Sequence, residues 1–276
     1  PLQNAETGDE ITLRGYSLLN DRLAAGDIAQ ITLFWQADRT PAGRYKVFLH
    51  VLDDANHIVG QHDAEPGGGA LLTNGWPPGE IVIDNHGLPI HPATPPGEYR
   101  VEVGMYDPET GQRLFAPGGQ GQIWLEPMTV ERPSSPAPVA TMGMHHGAGV
   151  EFGELALLGY DAYKIGFGHQ PDAPLRPGDV VHVNLYWQAQ SDPSGNWEVT
   201  IALVDADGNE WGSIGAEPVG GYPTDRWQAE DVWRGQFNLA LPADAPPGRY
   251  RVHVEPIAPD GAPQKPFLSD PLRVEQ

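Results

Sequence analysis

The sequence predicts an all-β protein built from two tandem Greek-key β-sandwich domains of immunoglobulin-like or jelly-roll type. Three observations lead there. Apolar and polar residues alternate in short runs such as "ITLFWQA" at 31–37, the period of a half-buried strand. The 34 Gly and 29 Pro fall between those runs as punctuation instead of forming tracts. The chain also repeats itself, because "VNLYWQA" at 183–189 restates the first run. A chain of 276 residues suggests about two domains of roughly 130 residues, each able to bury a core without a disulfide or metal.

The repeat fixes the order of elements. Gly15-Tyr16 matches Gly159-Tyr160 at an offset of 144. From Gly26-Asp27 against Gly178-Asp179 the offset is 152, and it holds through Trp35/Trp187, Asp53/Asp205 and Glu65-Pro66/Glu217-Pro218. It becomes 151 for Thr73/Thr224, Trp76/Trp227, Pro96-Gly97/Pro247-Gly248 and Tyr99/Tyr250. In the first strand of this set, Ile31, Leu33, Trp35 and Ala37 share one face, as Val183, Leu185, Trp187 and Ala189 do in the second copy. Both tryptophans are therefore expected in the core. Tyr45, Val47, Leu49 and Val51 repeat the pattern, followed by hairpin turns at "DDANH" and "DADGN". "PPGEYRVEVGMYD" and "PPGRYRVHVEPIA" each read as a turn entering a strand, with Pro96 and Gly97 at the central positions of a type II turn. The first repeat spans 1–131, a Pro/Ser-rich linker 132–147, and the second repeat 148–276.

Composition excludes several functions. Sixteen basic residues against 37 acidic ones give a net charge of −21, which repels phosphates, so nucleic acid is not an expected partner. Without cysteine the chain has no thiol nucleophile or cysteine zinc site. No apolar run approaches the ~18 residues of a membrane span, so any membrane link is expected through a parent protein.

Catalytic and cofactor signatures are also missing. The sequence contains no G-x-S-x-G elbow and no H-E-x-x-H pair. "DADGNE" begins like a calcium loop but lacks the glycine and glutamate such a loop needs, so it reads as a turn. His145-His146 lie in the linker and read as solvated. No catalytic residue, metal ligand or cofactor is expected.

What differs between the copies is more informative than what they share. Glu65, Thr73 and Trp76 have identical counterparts, which suits residues that tie down a long loop. His62, Asp63 and Asp84 instead face Ile214, Gly215 and Gly235, and Phe48 and His50 face Thr200 and Ala202. The expected ligand site is therefore His62, Asp63, Trp76, Asp84, Phe48 and His50 in the first copy. Carboxylates and histidines could bond sugar hydroxyls while an aromatic covers a pyranose face. The inserted loop of the second copy, with Phe167 and His169, is read either as a contact edge or as packing against the other domain.

"GDIAQITLFWQA", "YKVFLHVLDDANHIVGQHDAEPGGG", "NGWPPGEIVID" and "PPGEYRVEVGMYDPETGQRL" together resemble the soluble β-sandwich region appended to large multi-span bacterial membrane proteins of the glycosyltransferase type, similar to protein O-mannosyltransferases. The second copy fits more loosely, since "SIGAEPVGG" lacks the Gln-x-Asp of Gln61 to Asp63. The resemblance implies an accessory role outside the membrane and supplies no catalytic residue. The expected function is a non-catalytic, extracytoplasmic module for binding a glycan or a cell-surface protein, or for assembly at the cell surface. The alternatives are a structural spacer or surface-layer component, and a glycan-active enzyme using the His62 to Asp84 region.

Overall fold

The computed structural model describes residues 1–168 and 170–276, and the chain falls into two compact units, Pro1–Pro133 and Ser134–Gln276. Among the described residues all regular structure is β apart from short 3-10 turns. No helix among the described residues is long and apolar enough to cross a membrane. His169, assigned above to a contact edge or to domain packing, lies outside the described residues.

The first unit contains β1 (Leu2–Gln3), β2 (Glu10–Leu18), β3 (Arg22–Ala24), β4 (Ile28–Gln36), β5 (Lys46–Leu52), β6 (Ile58–Ala64), β7 (Ile81–Pro89), β8 (Gly97–Tyr106), β9 (Ile123–Trp124) and β10 (Met128–Glu131). One sheet runs β1-β2-β4-β7; the other runs β3-β10-β8-β5-β6, with β9 also on β8. The second unit contains β11 (His146–Glu151), β12 (Leu155–Lys164), β13 (Val180–Ala189), β14 (Glu198–Val204), β15 (Glu210–Ala216), β16 (Val232–Ala240), β17 (Gly248–Ile257), β18 (Phe267–Leu268) and β19 (Leu272–Val274). Its sheets run β11-β12-β13-β16 and β15-β14-β17-β18, with β19 on β17. β3 pairs with β10 in parallel, and the second unit echoes this with a parallel bridge between Leu175 and Val274.

Period-two alternation fills the space between the sheets. Ile31, Leu33 and Trp35 of β4 share one core with Val47, Leu49 and Val51 of β5. Val183, Leu185 and Trp187 meet Val199, Ile201 and Leu203 in the same way. Trp35 and Trp187 are fully enclosed, and neither indole N–H has a hydrogen-bond partner. Each indole is therefore held by apolar burial and packing alone, which must outweigh an unmade hydrogen bond.

The same tethers recur around both cores. Thr73 Oγ1 donates to Gly43 O and accepts Tyr45 N–H, while Thr224 Oγ1 donates to Gly195 O and accepts Trp197 N–H. Trp76 Nε1 donates to Leu71 O and Trp227 Nε1 to Tyr222 O. Tyr99 and Tyr250 donate their hydroxyls to Pro95 O and Pro246 O, both 2.7 Å away. Asp53 and Asp205 accept the N–H groups of their own hairpin turns. The Asp205 carboxylate is held down to about 2, chiefly by Trp211 Nε1 and the Asn209 side chain, so its oxygens are engaged within the turn.

Two sequence expectations need correction. Gly97 is not left-handed and opens β8; the reversal comes earlier, where Thr94 N–H bonds His91 O, and Pro95-Pro96 then extends the chain. The end of the assigned linker belongs to the second unit. Met142 is buried, His145 donates its backbone N–H to Asp161 at 2.7 Å, and His146 begins β11 and stacks on Tyr160. The two histidines keep the solvent exposure expected of them, but they are also docked onto the second unit, where a buried carboxylate and a tyrosine face supply their partners.

Trp35→Ala and Trp187→Ala are each expected to destabilise the protein by about 3–5 kcal/mol, the cost of emptying a large enclosed core position. Urea denaturation followed by fluorescence and far-UV circular dichroism measures this. A loss under about 1 kcal/mol would contradict an enclosed position.

Candidate functional site

The strand period divides the expected site in two. β5 and β6 pair with Leu49 opposite His62 and Phe48 opposite Asp63. Leu49 faces the core, so His62 points inward and its neighbour Asp63 points out. On β7 the inward residues are Val82, Asp84, His86 and Leu88, all buried. The structure therefore brings His62 and Asp84 together at the inner edge of the sandwich. It places Phe48, His50 and Asp63 on the outer face of the larger sheet.

The inner group is a chain of three side chains. Asp84 Oδ1 accepts the Gly67 N–H at 2.8 Å, and Oδ2 lies 2.7 Å from His86 Nε2. His86 Nδ1 is 3.1 Å from His62 Nδ1. Gly67, Gly68 and Gly69 all have positive φ, a run that glycine adopts without a Cβ penalty. An ionised carboxylate only accepts, so His86 must carry a proton on Nε2. One of the facing Nδ1 atoms then donates and the other accepts. Burial, together with the charge of His86, pushes His62 below the ordinary histidine value.

Sequence reasoning missed His86. The signal was available, for it lies two residues beyond Asp84 on the same strand face. The second copy has no counterpart to this chain. Asp84 pairs with Leu33 and His86 with Ile31, while the same register positions in the second unit hold Gly235 opposite Leu185 and Phe237 opposite Val183. Ile214 takes the place of His62.

Trp76 is not a ligand-facing residue. It is 3% exposed, with Nε1 satisfied by Leu71 O and its carbonyl by Thr40 Oγ1, so it plugs the loop onto the core. Asp84 is likewise withdrawn from solvent and spent on Gly67 and His86. Phe48 faces outward but is 1% exposed, because the Arg113 guanidinium lies 4.2 Å over its ring. A Cβ at Gly104 would fall 2.3 Å from the Phe48 ring, so glycine there lets the ring lie flat on the sheet.

The outer group centres on His50. Its Nδ1 is 2.9 Å from Glu102 Oε1 and its Nε2 is 3.5 Å from Asp63 Oδ1. Its ring stacks on Phe48 at 5.0 Å. Burial first, and then the charge of the neighbouring Asp63, push the Tyr106 hydroxyl above its ordinary value, and Arg113 Nη1 lies 4.0 Å from Glu102. Beside Glu102 on β9 stands Trp124, 43% exposed, with the Arg100 guanidinium 5.0 Å from its ring. Burial alone would lower the His50 pKa, but the two carboxylates outweigh it and hold the imidazole above its ordinary value. Glu102, Tyr106, Arg113 and Trp124 were not expected from sequence. They come from strands and loops far along the chain, and only sheet pairing assembles them.

No protein-family model matches the chain, and no curated protein matches it. Among solved structures it is similar to the C-terminal domain of wzt, with 15% identity and a TM-score of 0.35 over 45% of this chain and 75% of that one. At that TM-score the likeness assigns no function.

The two histidines on β5 and β6 are expected to titrate on opposite sides of 6.5, His50 above and His62 below, as read from imidazole NMR shifts. The pairing of His50 stabilises fully below about 6.5 and is lost as pH rises through its raised folded value. His50→Leu should therefore cost more stability at about pH 6 than at about pH 9, measured by urea denaturation. An equal cost at both would contradict the paired imidazolium.

Proposed function

We propose that the chain is a non-catalytic binding module made of two immunoglobulin-like sandwiches, with its recognition surface on the outer face of the larger sheet of the first unit. The single observation that carries this is the His50 cluster, which only one unit possesses. At matching positions Phe48, His50, Asp63, Glu102, Tyr106 and Trp124 face Thr200, Ala202, Gly215, His253, Ile257 and Leu268. The second unit folds without such a cluster, so packing alone does not require it. The parallel β3–β10 pairing and the tyrosine bonds to Pro95 O and Pro246 O favour the immunoglobulin-like reading over the jelly roll.

The ligand class that fits is a neutral glycan. Asp63 and Glu102 accept hydroxyl hydrogens, Arg113 and Tyr106 donate, and the exposed Trp124 ring offers an apolar face to sugar C–H groups. The net charge of −21 disfavours acidic polysaccharides. Asp63 and Glu102 are both held by His50, which suits fixed recognition groups better than an acid and base poised for hydrolysis. On this reading the chain acts outside the cytoplasm, as the accessory portion of a larger glycosyltransferase-type membrane protein.

Titration of the full chain with a panel of neutral oligosaccharides, followed by NMR, is expected to give dissociation constants near about 1 mM, or about −4 kcal/mol. Shifts should centre on Trp124 and Tyr106, and Trp124→Ala with Asp63→Ala should abolish them. Shifts confined to the second unit, or unchanged in that double variant, would leave the spacer reading in front.

Independent folding is the second expectation. Residues 1–133 and 134–276, expressed separately, should each give a soluble fragment with a cooperative melt. Failure of both fragments while the whole chain folds would overturn the tandem-domain reading.

A further inference from the structure

The Asp84–His86–His62 chain lies on the core side of the larger sheet, opposite the recognition surface proposed above, and that surface leaves it without a use. Three features bear on what it does. First, Asp84 is a fully buried carboxylate, and among the described residues no Lys or Arg pairs with it. Its charge is answered only through His86 and one backbone N–H. A buried charge of this kind needs a compensating positive group. Second, the Asp84 bond fixes the tautomer and orientation of His86 by holding Nε2 and leaving Nδ1 for another partner. Metal-ligating histidines are oriented in this way by carboxylates. Third, the facing Nδ1 atoms are 3.1 Å apart, and two nitrogens about 2.0–2.1 Å from one tetrahedral zinc stand roughly 3.3 Å apart.

We propose that His62 and His86 form a two-histidine site for a borderline divalent transition metal such as Zn²⁺ or Ni²⁺, with Asp84 as the outer carboxylate that orients His86 and balances the ion's charge. Among the described residues no group of three or more His, Cys, Asp or Glu side chains is placed to hold an ion on its own, so water completes the coordination. His62 is half-exposed at the edge of the sandwich, which gives that water access. The ion replaces the Nδ1–H···Nδ1 contact: His86 keeps its Nε2 proton on Asp84, and His62 changes tautomer, its Nδ1 proton passing through solvent to its own Nε2.

The second unit shows that the fold has another way to fill this corner. A Cβ at Gly235 would stand 2.0 Å from Pro218 O. There the loop backbone presses directly onto the strand, whereas in the first unit the Asp84 side chain holds the loop at Gly67.

The test is calorimetric titration of the full chain with ZnCl₂ and NiCl₂ at about pH 7.5, where neutral imidazole dominates, alongside thermal melts with and without the ion. One ion per chain is expected, with a rise in melting temperature. His62→Ile, which installs the second unit's residue at a half-exposed position, should weaken binding at least tenfold. Asp84→Asn should weaken it by about 10- to 100-fold, as loss of an orienting carboxylate does. Circular dichroism identifies any variant that fails to fold, and if Asp84→Asn does, His62→Ile alone decides. Absence of heat and of a melting shift up to about 1 mM ion would overturn the proposal, as would a loss of less than tenfold in His62→Ile.

Discussion

In each half of this protein an indole with no polar partner is enclosed between two sheets, and the surrounding structure works to keep it enclosed. Trp35 and Trp187 face across to the inward residues of β5 and β14, and neither N–H is satisfied. Holding such a group dry requires that the sheets stay closed at their edges and that the long loop after β6 or β15 stay seated. The repeated tethers serve this end. Thr73 and Thr224 each staple a loop to the start of the next sheet, and Trp76 and Trp227 each plug the gap. A carboxylate supports the neighbouring turn in both units, from Asp9 onto Ala42 and Gly43 and from Glu154 onto Ser194.

Edge closure depends on backbone proximity. A Cβ at Gly60 would lie 2.7 Å from Pro89 O, and one at Gly212 would lie 2.7 Å from Ala240 O. β6 and β15 can reach the facing strand only because these positions carry no side chain. One turn of the pleat away the units part company. The second closes with Pro218 O against Gly235, and the first with a carboxylate and two imidazoles. The difference turns an apolar seam into a polar one. A polar seam in a low-dielectric setting must be fully satisfied, and Gly67, Asp84, His86 and His62 satisfy one another in sequence.

The outer face of the larger sheet has the opposite electrostatic character. His50 is flanked by two carboxylates and rests on Phe48, with Arg113 above that ring and beside Glu102. Two cationic and two anionic groups balance within a few ångströms. Every member of the cluster is partnered, and the exposed Trp124 adjoins it. In the function proposed above, polar groups preorganised in this way would need little reordering on binding.

The sequence by itself determined the all-β class, the doubled order of strands, the inward tryptophans and the tethering role of Thr73, Trp76 and their counterparts, because each follows from period-two burial or from identity between the copies. Comparison of the copies also pointed to His50, Asp63, His62 and Asp84 as residues that packing does not demand. What only the tertiary structure decided is how those residues are grouped. His62 and Asp63 are adjacent in sequence yet lie on opposite sides of a sheet, so one set of candidates became two. His86 joined the inner group through β7, and Glu102, Arg113 and Trp124 joined the outer group through β8, the loop after it and β9. The burial of Phe48 and Trp76 was equally hidden, since it depends on an arginine and a loop folding over them. Alternation is a local property that a sequence displays openly, whereas lateral pairing between distant strands is fixed by register, which no single strand encodes.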